Sequence, residues 1–331
     1  MTSHSIAEFD DLRMLSDLGY DTFSIGAYTD PFNPTDDKRP ALDTAYFPDL
    51  AALCDEQRHK HRDDDASWVI DWAKGDLHPE LIEWADAIIV HHFPQAWIVA
   101  QWEAIRHKRV IWRTCGQSSP DGSLEAVMAH LHGLEIVRYS PKERSIPNFA
   151  GESALIRFGK YPDDYLTWTG ETFAVGNITQ NMAQRGDACG YGFWAAATNG
   201  LPTQPAGPGS EAIGGLGALS YTDMQAYLSQ IRCYLYTGTQ PASYTLGLIE
   251  AMFAGVPLVS IGANAFGLPD LFEGHELAAW ASDQPTQVAS DLGQILSDDD
   301  TAWLLSMQGR ARAKKLFGID TIGPQWKALL G

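Results

Sequence analysis

The sequence predicts an α/β protein of two domains, each a parallel sheet covered by helices. Three observations carry that prediction. Short apolar runs of the buried-strand type, IIVHH at 88–92, RVIWRT at 109–114 and LEIVRY at 134–139, alternate with helical patterns. The alternation restarts beyond a region of weaker signal at 141–169, which holds Pro147, Pro162 and the Asp163-Asp164 pair. The 331 residues make about two domains at ~150 each. Strands separated by helices of this length imply βαβ units and parallel pairing.

Taken in order, residues 6–18 form an amphipathic helix and 22–28 (TFSIGAY) a strand after the turn at Gly19. Residues 31–40 are a polar loop. Residues 81–87 lead into the strand at 88–92, and a helix at 97–107 precedes the strand at 109–114. A helix at 123–132, closed by Gly133, precedes the strand at 134–139. The second half reads strand 172–175, helix 188–198, strand 201–205, helix 221–231, strand 233–236, helix 243–253 and strand 257–261. Helices at 285–296, 301–317 and 321–330 follow. Ligands of such folds sit at the carboxyl ends of the strands, in a cleft. A first domain of this kind normally opens with a strand, whereas this chain opens with a helix. Its first strand is therefore absent, or the gene is shortened relative to relatives.

Composition excludes several classes. The 42 Asp+Glu against 23 Lys+Arg give a net charge of −19, which disfavours a polyanion as main partner. Hydrophobic residues at 45% and 11 tryptophans exclude a disordered acidic chain. Cys54, Cys115, Cys189 and Cys233 have no paired spacing and read as free thiols of a reducing, cytoplasmic compartment. MTSHSIAEFDD carries acids where a signal peptide needs a basic flank and an apolar run. The apolar stretch 246–268 contains Glu250, Pro257, Asn264 and four glycines, so it is a buried helix and strand rather than a membrane span.

The segment 214–259 is the richest in chemistry. A helix starting near 243–245 presents free backbone N–H groups and a positive dipole end, an anion site. Glu250 lies about two turns further on, among apolar or small residues, so its carboxylate must be paired or face a polar cleft. A ribose diol suits it, because a carboxylate accepts two hydroxyl protons in bidentate fashion. A packed crossover with Glu250 hydrogen-bonded to backbone is the alternative on the residues alone. In the first half, His91 and His92 end an apolar strand, and two histidines in a row there favour one facing the ligand side.

Residues 243–259, SYTLGLIEAMFAGVPLV, resemble the E-x7-E region of family-4 glycosyltransferases with the GT-B fold, usually E-G-F-G-L-x-x-x-E-A-M-A-x-G-x-P-V. The segment 216–236 and AFGLPDLF at 265–272 also follow the family's course, and the likeness covers about the last 120 residues. The resemblance implies two Rossmann-like domains, an acceptor-side domain at 1–160 and a nucleotide-sugar domain at 161–315. A terminal helix at 316–331 returns to the first domain. It implies transfer of a hexose or related sugar from a nucleotide-diphosphate donor, such as a UDP-sugar, to an acceptor hydroxyl. The anomeric configuration would be retained, with no metal or other cofactor.

Carried over residue by residue, Glu250 matches the glutamate that binds the donor's ribose, and Tyr244, Thr245 and Leu246 match the positions whose amides hold diphosphate and sugar. Ala242 stands where the first glutamate of the motif belongs, which puts the sugar's identity in question. Asn177, after AVG, replaces the family's arginine, and Arg185-Gly186 sits where a Lys-Gly pair is usual. Arg185 is the candidate charge for the departing diphosphate. The base is expected near 218–221, with Leu219 beside it. His92 is the candidate catalytic residue of the first domain, and His91 and Gln117 are candidates for the acceptor.

Weaker signals remain outside this reading. RHKHRDDD at 58–65 is a solvated charge run, and the D-x-D pairs at 63–65 and 298–300 follow no strand. No G-x-S-x-G elbow supports a serine hydrolase. Two rivals stand beside the transferase: a non-catalytic nucleotide-sugar-binding homologue, motivated by Ala242 and Asn177, and a glycosyltransferase acting on hydroxymethylated bases in DNA. The latter needs a basic channel, for which RHKRVIWR at 106–113 is the candidate. The acceptor is otherwise a glycan or a small molecule.

Overall fold

The computed structural model describes residues 5–24, 49–50, 77–92, 95–115, 121–240, 242–262 and 271–331. The chain divides into two units, Met1–Phe158 with Gln325–Gly331, and Gly159–Pro324.

The first unit holds α1 (Ser5–Asp17), α2 (Pro79–Trp84), β1 (Ala87–His91), α3 (Gln95–Ile105), β2 (Arg109–Arg113), α4 (Ser123–Met128), β3 (Glu135–Arg138) and β4 (Ala154–Leu155). The strands pair in parallel in the order β1-β2-β3-β4, with Ile89 opposite Ile111 and Trp112 opposite Ile136. Apolar strand residues and the inner faces of α3 and α4 form one core: Val90, Ile98, Ile105, Trp112, Leu124 and Ile136. β2 and β3 bury both faces, which is why they read as continuous apolar runs, while β1 is mostly half-buried. Arg138 is buried in this sheet. Its guanidinium binds both oxygens of Glu125 on α4 at 2.7 and 2.6 Å and lies over the rings of Trp112 and Phe149.

The second unit contains β5 (Thr172–Gly176), α5 (Met182–Arg185), α6 (Tyr191–Ala197), α7 (Tyr221–Gln230), β6 (Ile231–Tyr236) and α8 (Leu246–Ala254). β7 (Leu258–Ile261), β8 (Ala281–Ser282), α9 (Pro285–Ser297) and α10 (Asp299–Phe317) complete it. A last helix, α11 (Ile319–Leu330), begins here and ends in the first unit. The sheet is again parallel, β5-β6-β7-β8. All six residues of β6, IRCYLY, are buried. α8 packs against α7 and α10 and buries eight of its residues, including Glu250, which accounts for its apolar character on every side.

The structure departs from the sequence reading in five places, one being the helix expected at 123–132, which ends at Met128 as α4. Residues 201–205 make one bridge, Val175 with Thr203, instead of a strand; Gln204 N and Ala206 N donate to Val175 O and Asn177 O, but Pro202 has no N–H to extend the ladder back along β5. The helix expected at 188–198 is the shorter α6, because Gly190 (φ 65°) breaks it from the preceding turn at Gly186–Cys189. The two-residue strands β4 and β8 were not foreseen. Residues 22–24 form no strand, and the rest of the 22–28 prediction lies outside the described residues.

Candidate functional site

The second unit gathers its candidates at the carboxyl edge of its sheet. β6 runs into a loop that ends at α8, whose first turn is capped by Thr245: its Oγ1 accepts from the Leu248 amide at 3.3 Å. That arrangement leaves the Leu246 and Gly247 amides without intrahelical acceptors, at the positive end of the helix. Tyr244 is buried with its ring edge-on to Phe317, 5.5 Å between centroids, so its side chain belongs to the core and its backbone alone faces the loop. Leu246 is also buried.

Glu250 lies further along α8. Its Oε1 accepts from Lys160 Nζ at 3.1 Å, with side-chain exposures of 10% and 2% for the two residues. The carboxylate is thus paired to a cation. Lys160 is itself fixed: its N–H donates to Phe317 O (2.8 Å) and its carbonyl accepts from Ile319 N (3.1 Å).

Asn177, directly after β5, is buried, and its side chain does backbone work. Nδ2 donates to Leu235 O at 2.8 Å and Oδ1 accepts from Thr179 N at 2.7 Å, which ties the end of β5 to β6. Arg185 ends the four-residue α5, exposed, with one long bond to Gln180 O at 3.4 Å. Leu219 is half-buried just before α7, beside exposed Ala218. Asp298 is the cap of α10, accepting from the amides of Asp300 and Thr301, which accounts for the D-x-D at 298–300 without a metal; the one at 63–65 lies outside the described residues.

In the first unit, His91 closes β1, and its Nε2 lies 3.1 Å from Asp11 Oδ2. Asp11 sits on the apolar stripe of α1 with Ala7, Met14 and Leu15, all buried. Burial alone would raise its carboxyl, but Arg113, with Nε at 3.4 Å, and His91 hold it below the usual carboxylate range. His92 takes the left-handed conformation (φ 66°), its carbonyl accepting from Trp112 Nε1 at 3.0 Å. Burial and the charge of His91 push its imidazole down to about 4, so it is neutral near pH 7 and a weak base. The geometry of a supported base therefore belongs to His91, not to His92. Gln117 lies outside the described residues.

The basic run at 106–113 is engaged within the first unit. Arg106 pairs with Glu103 (3.0 Å), Lys108 donates to Glu83 O (2.9 Å), Arg109 binds both oxygens of Glu135 (2.6 and 2.8 Å), and Arg113 is buried on Asp11. Of these, Arg113 is buried and Arg106 remains exposed.

Sequence reasoning missed Lys160 and Asp11. Asp11 had a signal, a carboxylate on an apolar helical stripe; Lys160 had only the unmet requirement for a partner to Glu250.

No family model matches the chain, and no curated protein matches it. Solved structures do share its fold. HepE from Anabaena in complex with UDP-glucose is 17% identical, with a TM-score of 0.60 over 76% of this chain and 80% of that one. Sucrose-phosphate synthase from Thermosynechococcus elongatus is 15% identical, with a TM-score of 0.58 over 76% and 77%. TarM is 14% identical, with a TM-score of 0.57 over 74% of this chain and 54% of its own. The two-sheet α/β fold of this protein is of the GT-B type.

Proposed function

We propose that this GT-B-type protein is a glycosyltransferase that moves a sugar from a nucleotide-diphosphate donor to an acceptor hydroxyl, with retention of configuration. The observation that carries the reading is α8: a helix start capped by Thr245, about one turn ahead of a buried, cation-paired carboxylate, in the segment whose sequence resembles the family's donor motif. HepE, of the same fold, is in complex with UDP-glucose, which makes a UDP-sugar the first donor to test. The Leu246 and Gly247 amides and Arg185 would take the diphosphate, Glu250 the ribose, and the surface near Leu219 the base. Catalysis would rest on stabilising the leaving diphosphate, whose charge grows as the glycosidic bond breaks. Asn177 is left a structural role, since its side-chain bonds are made to backbone. On the first unit, His91 would bind the acceptor hydroxyl, with neutral His92 beside it as a hydrogen-bond partner. The buried free thiols Cys115, Cys189 and Cys233 support a reducing, cytoplasmic compartment.

The test is calorimetry with UDP and UDP-sugars. Glu250→Ala is expected to weaken binding about tenfold or more while the variant stays folded, and unchanged affinity overturns the donor assignment. Binding without turnover of any sugar would favour the non-catalytic homologue. One observation favours a second chemistry: Asp11 behind His91 is the arrangement of a general base. Transfer with inversion, read from the product's anomeric proton by NMR, would replace retention with direct displacement assisted by His91.

A further inference from the structure

We propose that Lys160 is a positioning residue for donor recognition: by pairing with Glu250 it keeps that carboxylate ionised and aimed, so that it accepts from both hydroxyls of the donor's ribose. The inference rests on the assignment of Glu250 to the ribose and adds a second residue to that site, outside the motif. Three observations support it. Lys160 and Glu250 are both buried, and Nζ meets Oε1 at 3.1 Å. The Lys160 backbone is held on both sides, by Phe317 O and Ile319 N, so the ammonium cannot drift with a flexible loop. Phe317 also packs on Tyr244, next to the capping Thr245, so the cation, the carboxylate and the helix start share one packed cluster.

The chemistry gives the pair a purpose beyond stability. A buried ion pair is weak evidence for stability, because apolar residues of similar volume often serve equally well. A carboxylate is different as a ligand for a diol: ionised, it is an acceptor on both oxygens, whereas protonated it turns one oxygen into a donor. Burial without a cation raises a carboxyl toward neutrality. Among the described groups that face Glu250 are the Lys160 ammonium and, from β6, the Tyr234 phenol, which burial and the Glu250 charge keep protonated. Lys160, at 3.1 Å, is on this reading a group that favours the accepting form of Glu250.

The experiment compares the affinities of UDP and 2′,3′-dideoxy-UDP by calorimetry. Wild type is expected to prefer UDP by about tenfold. In Lys160→Met the preference should shrink to within about threefold, with dideoxy-UDP bound as before, and Lys160→Arg should restore it. In Lys160→Gln, which keeps a donor without the charge and serves if the Met variant does not fold, the preference should fall from about pH 8 to about pH 6 while wild type stays flat. If the preference is unchanged in Lys160→Met, or flat with pH in Lys160→Gln, the inference is overturned and the Glu250 assignment stands. A wild type that binds both nucleotides equally overturns the Glu250 assignment, and one that binds neither overturns the donor reading; in both cases the inference falls with it.

Discussion

Glu143 is a single side chain that gives the stability of the first unit a pH-dependent contribution. Its Oε2 accepts from Thr114 Oγ1 (2.9 Å), Tyr139 N (2.9 Å) and Ser140 N (3.3 Å), which joins the end of β2 to the end of β3. The guanidinium of Arg138 is 3.8 Å from Oε1 but already bidentate on Glu125, so two buried carboxylates share one cation. Burial outweighs Arg138 and the three hydrogen bonds, and the carboxyl is raised from 4.5 to about 7. The folded state then binds more protons than the unfolded chain across that window, so this group's contribution to stability falls as pH rises from about 4.5 to about 7. Glu143→Gln keeps an acceptor and removes the charge. Its melting temperature should exceed that of wild type by several degrees at pH 8, and the gap should narrow at pH 5. A variant less stable than wild type at pH 8 would show that the pull of Arg138 is the stronger effect.

At the scale of an element, α8 is fixed at both ends. Thr245 caps its start, and Gly255 closes it in the left-handed conformation (φ 86°), its N–H returning to Ala251 O and Met252 O. Thr245→Ala should cost about 1 kcal/mol. Gly255→Ala should cost about 1–2 kcal/mol from backbone strain alone, and its new Cβ would meet Ser306 Oγ at 2.9 Å. Denaturant melts should therefore rank wild type above Thr245→Ala and Thr245→Ala above Gly255→Ala, with Thr245→Ser close to wild type; the reverse order would show that α10 yields and that the cap governs. This helix was legible in the sequence because both ends carry local signals, Thr before the apolar run and Gly-Val-Pro after it. The buried strands were legible for the same reason, as runs of β-branched and aromatic residues. β4 and β8 carry too few residues for any period to register, and the 201–205 segment looked like a strand until Pro202 met the ladder. The ion pairs are a different matter. Lys160 and Glu250 are 90 positions apart and Asp11 and His91 are 80 apart, so no local pattern links them. Only the unsatisfied chemistry of a carboxylate among apolar residues pointed to a missing partner.

For the molecule as a whole, the −19 charge disfavours a polyanionic partner, as the composition implies. The first unit also depends on the far end of the chain. Trp326, on α11, is fully buried there, its ring 5.6 Å from the Arg113 guanidinium, and Arg109 donates to Leu329 O (2.6 Å) and Leu330 O (3.2 Å). Trp326→Ala should cost about 3–5 kcal/mol. Scanning calorimetry is expected to show the transition of the first unit moving down by many degrees while that of the second stays in place. A variant that melts as wild type does would mean that the α11 contacts contribute little.

That dependence has a consequence for synthesis. Residues 325–331 follow the whole of the second unit in the chain, so during synthesis the first unit lacks the last partners of Arg113 and Arg109 until all of 159–324 has been made. A nick between 324 and 325 would therefore strike the unit built from 5–158, not the one whose chain it ends.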